Sequence, residues 1–327
     1  MKKIIISTFL MMALLMQSFS IDACTGFVVD GDATIYGMNF DFYTDDIKFF
    51  IEESGSMKVF YMAFGQGDNY IPTVGMNSDG VFASLQELYP ESPSNSSVQD
   101  GQEYLYMLFY DALYEGTLDT AVSNAMEKEI VNGETSIHLL MGDHHGQSYV
   151  VEPGVGHVFN SDEDDYQVMT NFSHVDNEGK AMADVKGVGS DRYREACSVI
   201  EEAGDSFSYD DAFKALKNST QSSGNYPTQS SLVFDPENTI IYLSIKSDFT
   251  HKWKIDMNEK TIETYSGYDG YRNYVLDHEG IHLSKLENPI LKPIRDDNDD
   301  ISPKLMIAAI GAVLAVTVIW ILVSKKR

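Results

Sequence analysis

The chain reads as an α+β protein of packed layers, and three observations predict this. Short runs alternating between apolar and polar residues are bounded by turns rich in Asp, Gly and Asn; two separate blocks carry apolar residues at helical spacing; strand-like runs resume after each block. Residues 25–29 and 33–37 predict two strands joined by Asp30-Gly31-Asp32, a link suited to a hairpin. Residues 58–64 and 81–85 add strands, the second introduced by Asn77-Ser78-Asp79-Gly80. Helices are predicted over 101–113 and 117–130; in the second, Leu118, Ala121, Val122, Ala125 and Met126 share a face. A strand pair at 136–141 and 147–151 flanks Gly142-Asp143-His144-His145-Gly146. Helices follow at 191–203 and 209–216, and strands at 230–234 and 239–245 alternate about Asp235-Pro236-Glu237-Asn238.

Both ends read as export signals. Lys2 and Lys3, the apolar run 4–16, the more polar Gln17-Ser18-Phe19-Ser20 and small Ala23 predict a signal peptide over 1–23. Residues 305–323 form a run without a charge, long enough to cross a bilayer as a helix. Ser324-Lys325-Lys326-Arg327 follows it and aspartates precede it, so the positive-inside rule puts the tail 324–327 in the cytoplasm and the rest outside. Residues 286–304 hold Pro289, Pro293 and Pro303 among aspartates and read as a stalk, which leaves 24–285 as the folded domain. The expected location is the cell membrane, with a single pass. Between the two end segments, 18 basic residues face 49 acidic ones, a net charge of −31, which argues against nucleic acid or anionic lipid head groups as partners. A hydrophobic content of 43% excludes wholesale disorder.

Cleavage after Ala23 makes Cys24 the first residue of the mature chain. Such a cysteine carries a thiol and a free α-amine on one backbone unit, with ordinary pKa values of ~8.5 and ~7.7–8.0. Nucleophile and general base then come from a single residue. Two other readings stay open: Ile21-Asp22-Ala23-Cys24 loosely resembles a lipoprotein acylation site, and a free cysteine is often a buried small hydrophobe. With only Cys24 and Cys197 in the chain, a disulfide is open as well.

Cys24-Thr25-Gly26-Phe27, followed by Gly37-Met38-Asn39-Phe40-Asp41-Phe42, resembles the opening of the choloylglycine hydrolase and penicillin V acylase family of N-terminal nucleophile hydrolases. Further pieces agree in order: Asn77-Ser78-Asp79-Gly80-Val81, the stretch from Gly142-Asp143 through Gly146 to Glu152, Thr170-Asn171, Ser190-Asp191-Arg192-Tyr193 and Ser231-Leu232-Val233-Phe234-Asp235. The resemblance implies a four-layer αββα sandwich that hydrolyses a linear, nonpeptide amide of a small N-acyl compound and needs no cofactor. It implies Cys24 as nucleophile, Asp41 as the residue holding its α-amine, Asn171 as an oxyanion donor and Arg192 as a fixed cation near the thiol. A second oxyanion donor on the strand after Val81 falls on Gln86, with Glu87 as the alternative.

One position departs from the pattern. The family commonly has arginine where Met38 stands, and a thioether neither donates a hydrogen bond nor carries charge. That departure keeps a second expectation in view, a binding or adhesion ectodomain on a hydrolase scaffold. His144 and His145 beside Asp143 suggest metal, yet adjacent histidines on a strand project to opposite faces, and His138 and His157 lack ligand spacing with them. The substrate pocket is expected from loops at 43–54 and 89–102, and self-association of the ectodomain is left open.

Overall fold

The computed structural model describes residues 24–115, 117–161, 165–221 and 225–287; the segments expected as leader, span and tail lie outside them. Among the described residues no helix is long and apolar enough to cross a membrane. In chain order the strands open with β1 (Thr25–Val29), β2 (Ile35–Asp41), β3 (Ile47–Ser54), β4 (Met57–Gln66), β5 (Asn69–Asn77), β6 (Phe82–Glu87) and the short β7 (Gln102–Tyr104). Helices α1 (Leu105–Tyr114) and α2 (Leu118–Glu127) follow. Next come β8 (Glu129–Val131), β9 (Ile137–Gly142), β10 (Ser148–Val151), β11 (Gly154–Val155), β12 (Val158–Asn160) and β13 (Tyr166–Met169). After α3 (His174–Asn177), α4 (Ser190–Ala203) and α5 (Tyr209–Asn218), the unit closes with β14 (Thr228–Asp235), β15 (Ile240–Ile245), β16 (Lys252–Asp256), β17 (Thr261–Ser266), β18 (Asn273–Val275), β19 (Ile281–His282) and α6 (Leu283–Leu286).

Two eight-stranded antiparallel sheets stack face to face. One runs β13-β1-β2-β14-β15-β16-β17-β18 and the other β12-β10-β9-β6-β5-β4-β3-β19, while β11, β8 and β7 form a small third sheet. Period-2 alternation assigns each strand's two faces to different layers. Val28, Tyr36, Met38, Leu232 and Phe234 from the first sheet meet Phe60, Met62, Met76, Phe82 and Leu140 from the second in one core. The opposite faces carry Phe27, Val29, Ile35 and Val233 against α4 and α5, and Val59, Ala83, Leu85 and Met141 against α1 and α2. The result is the expected αββα order. Because strands of both sheets are apolar on both faces, each large side chain removed from water stabilises the fold by ~1.5–3 kcal/mol whichever layer it enters.

Local expectations are corrected in three places. The helix predicted from residue 101 starts at Leu105, because 102–104 pair in parallel with β8. The helix predicted to residue 130 ends at Glu127, since Glu129–Val131 is drawn into that same pairing. Residues 47–54, read as a pocket loop, form β3 and pair with β4 along their whole length.

Candidate active site

Sheet register gathers the predicted residues at one end of the first sheet. In β1, Thr25 lies opposite Asn39 and Gly26 opposite both Met38 and Met169. Cys24, immediately before β1, therefore lies beside Asp41, which ends β2, and Asn171, two residues beyond β13. Arg192 reaches in from the first turn of α4. Gly189 admits it: this residue precedes the helix at φ 79°, and a Cβ there would lie 2.4 Å from Arg192 Nη2. A side chain at residue 189 would strain the backbone and displace the guanidinium.

The contacts form one connected network. Arg192 Nη1 donates to the Cys24 carbonyl oxygen at 2.5 Å and to Thr25 Oγ1 at 3.1 Å, and Nη2 donates to Asn171 Oδ1 at 3.0 Å. The same Asn171 Oδ1 accepts from the nitrogen of Cys24 at 2.9 Å. Asn171 Nδ2 donates one proton to the Glu87 carbonyl at 2.7 Å, which leaves a carboxamide's second proton for the cleft. Asp41 Oδ1 accepts from Thr228 Oγ1 at 2.5 Å. Its Oδ2 is buried with no hydrogen-bond partner among the described residues and lies 3.9 Å from Arg192 Nη1. Residue 24's nitrogen thus donates to Asn171 rather than to Asp41, whose second oxygen is left open. In the unprocessed chain that nitrogen has one proton to give; an α-amine has more.

Electrostatics follow from burial. Withdrawal from water, and next the Asp41 charge, push the Cys24 thiol well above its ordinary range. The Asp41 backbone N–H and the Arg192 guanidinium act the other way, and Glu87 adds a smaller upward push. Burial raises the Asp41 carboxyl to about 7, although Arg192 and the Thr228 hydroxyl both favour its ionised form. Without a base at hand the thiol stays protonated.

Gln86 sits under Cys24. In one orientation its amide nitrogen meets only Met38 Sδ, at 3.7 Å. Turned about, the amide donates to the carbonyls of Cys24 (3.2 Å) and Met169 (3.3 Å) and accepts from the Gly26 N–H at 2.9 Å, which its neighbours require. Both amide protons are then held by backbone, so Gln86 braces the β1 and β13 backbone and has no proton left for an oxyanion. Gly26 permits this approach, since a Cβ there would lie 2.7 Å from the end of the Gln86 amide. Met38 is wholly buried in the inter-sheet core. The cation of this site enters from α4 instead.

Cys24 opens onto a cleft of about 380 Å³ whose lining includes Asp41, Gln86, Glu87 and Asn171. Phe40, Phe42, Tyr43 and Phe64 form one wall, with Phe42 and Phe64 rings 4.7 Å apart. Of the two expected pocket loops, 43–54 contributes Tyr43 and 89–102 contributes none of the lining; Gly133, Glu134 and Thr135 take that place. Cys197 is a free, buried thiol in the core under α4, so Cys24 and Cys197 are not bonded. His144 and His145 lie in the turn between β9 and β10 rather than on a strand, with ring centroids 3.9 Å apart.

Sequence reasoning missed a second buried polar group. Glu152 accepts from Ser173 Oγ at 2.8 Å, from the His174 N–H at 2.5 Å and from the Val175 N–H at 3.4 Å, and lies 3.4 Å from His138 Nδ1. It thereby pins the chain just beyond Asn171. Burial alone would raise this carboxyl, but His138 and the His174 N–H together hold it down to about 2. Burial also lowers His174 to about 4. Thr228 was missed too; only its register opposite Asp41 in the β2–β14 pairing marks it.

Solved structures share this fold, two of them as follows. A mutant of the conjugated bile acid hydrolase from Clostridium perfringens superposes with TM-score 0.56 at 18% identity, over 77% of this chain and 96% of that one. Penicillin V acylase from Agrobacterium tumefaciens gives 0.54 at 16% identity, over 74% and 91%. No protein-family model and no curated protein matches the sequence.

Proposed function

We propose that this chain is an exported, membrane-tethered N-terminal nucleophile hydrolase that cleaves a linear amide between an acyl group and a small amine. The observation that carries the reading is the convergence of residue 24's nitrogen, Asn171, Arg192 and an unpartnered Asp41 oxygen around a buried cysteine at the foot of an apolar cleft. Its fold is also that of a conjugated bile acid hydrolase and a penicillin V acylase.

In this reading, removal of residues 1–23 exposes the α-amine of Cys24. The amine takes the thiol proton as sulfur attacks the amide carbonyl carbon, and the oxyanion that forms is met by the second N–H of Asn171. Asp41 Oδ2 accepts from the resulting ammonium, which stabilises the charge that burial of the thiol otherwise opposes. The ammonium then gives its proton to the leaving nitrogen, the C–N bond breaks and a thioester remains. Water, deprotonated by the same amine, adds to the thioester, and the carboxylic acid leaves as the thiol is reformed. Arg192 holds the Cys24 carbonyl and Asn171 in register throughout.

A panel of N-acyl amides offered to the protein beginning at Cys24, beside its Cys24→Ala variant, tests the reading. Amine release by the first and none by the second is expected. A panel left intact while Cys24 still reacts with thiol reagents would turn the reading to a binding ectodomain.

A further inference from the structure

We infer that the cleft selects amides with an apolar acyl half and a cationic amine half, and rejects amides whose amine half is anionic. The inference rests on the reading of Cys24 as nucleophile and adds the charge of the substrate. No lysine or arginine is among the cleft's lining residues, whereas Asp41, Glu87 and Glu134 are. Neither Glu87 nor Glu134 is in an ion pair among the described residues. Arg192 lies behind Cys24, with three of its N–H groups on the Cys24 carbonyl, Thr25 and Asn171, and it is not among the cleft's lining residues.

The two halves of the cleft are chemically distinct. Glu87 ends β6, where it pairs with Ile137 of β9, and Glu134 lies three residues before Ile137, so both carboxylates sit at the same end of neighbouring strands. Glu87 is near enough to Cys24 for its charge to act on the thiol, and its Oε2 is steadied by the Tyr89 hydroxyl at 2.7 Å. Phe64 lies on β4, two strands across from β6 through β5, roughly 10 Å away at ordinary strand spacing. With Phe40, Phe42 and the exposed Tyr43 it makes an aromatic wall. An amide held over Cys24 with its acyl group on that wall directs its amine toward Glu87 and Glu134. There a second amino group gains and a carboxylate or sulfonate is repelled.

One acyl group, phenylacetyl, joined to taurine, to ethanolamine and to 1,4-diaminobutane supplies the test on the protein beginning at Cys24. The diamine amide should exceed the taurine amide in kcat/KM by tenfold or more, with ethanolamine between. Glu87→Gln with Glu134→Gln should shrink that ratio to about threefold, while Glu202→Gln with Asp210→Asn on the far helices should leave it unchanged. A second arm needs no turnover: alkylation of Cys24 by iodoacetate and by a cationic aminoethyl haloacetamide, each normalised to free cysteine and read by peptide mass. Cation faster than anion, and a narrower gap in the Glu87/Glu134 variant only, supports the inference even if no amide is cleaved and the hydrolase reading falls. Equal or anion-favouring rates, or a ratio untouched by the double variant, would overturn it while hydrolysis itself stands.

Discussion

Two buried carboxylates in this molecule are built to opposite ends. Glu152 receives a hydroxyl and two backbone N–H groups and faces His138, so its ionised form is matched by donors. Asp41, wholly buried, receives one hydroxyl and a guanidinium at 3.9 Å, and its second oxygen has no partner among the described residues. The first is satisfied and holds a loop in place. The second stores an unmet demand for a proton donor beside the one nitrogen that processing would free. A donor-saturated carboxylate stabilises a fold, whereas an unsatisfied one costs stability that is recovered only when the missing cation arrives.

The largest effect should come from the residue that joins the two regions. Asn171 touches residue 24's nitrogen and Arg192, while Glu152 anchors the segment that follows it. Asn171→Ala is expected to lower turnover by ~10²–10³ with the fold intact, as oxyanion donors do. Steady-state rates beside circular dichroism check this; a near-normal rate would remove Asn171 from the site.

Glu152→Gln comes next and should act on stability. The carboxyl is lowered to about 2 in the fold, so its contribution is present above the ordinary carboxylate value and lost as pH falls toward 2. His174, lowered to about 4, contributes above its ordinary value and loses that contribution as pH falls from there to 4. Both make the fold weaken in acid. Replacing Glu152 should cost about 3 kcal/mol near neutral pH, read as a lower urea midpoint, and should remove the part of the acid dependence below about pH 4.5. An unchanged midpoint would show that the loop does not depend on this clamp.

Asp41→Asn should move stability the other way. With residue 24 still peptide-bonded, the folded carboxyl is raised to about 7, so the folded state holds a proton that the unfolded chain has already released. Stability therefore falls as pH rises to about 7, and the amide variant should be the more stable protein above that pH. Loss of the Asp41 charge should also lower the pH at which Cys24 is alkylated, whereas Arg192→Ala should raise it. A loss of stability above pH 7 in Asp41→Asn as well as in Glu152→Gln would dissolve the contrast between the carboxylates.

Gly189→Ala is the smallest, at about 1–2 kcal/mol for an L-residue forced to positive φ. Because the new methyl meets Arg192 Nη2, its effect on alkylation should resemble a weak Arg192→Ala. A stability loss with an unaltered alkylation profile would separate Gly189 from the site.

How much of this was legible depended on how locally each feature is written. Hairpin turns, the two strands joined by Asp30-Gly31-Asp32 and the first-turn position of Arg192 are short-range patterns and could be read directly. β3 and β5 could not, since residues such as Phe49-Phe50-Ile51 are buried on both faces and show no alternation. Gln86 was placed at the site, but whether its amide faces the cleft or the backbone is decided by Met169 and Gly26, distant in sequence. His138, Glu152 and His174 carry no local signal; sheet pairing and the turn after Asn171 bring them together.

In the proposed reaction residue 24 supplies both nucleophile and base. This is tested by comparing amide hydrolysis by the protein beginning at Cys24 with hydrolysis by the same protein carrying one extra residue before it, whose nitrogen at residue 24 is then an amide. Only the first should release amine, although alkylation should find the thiol in both. Equal hydrolysis by the two forms would contradict the account, since the base would then lie elsewhere.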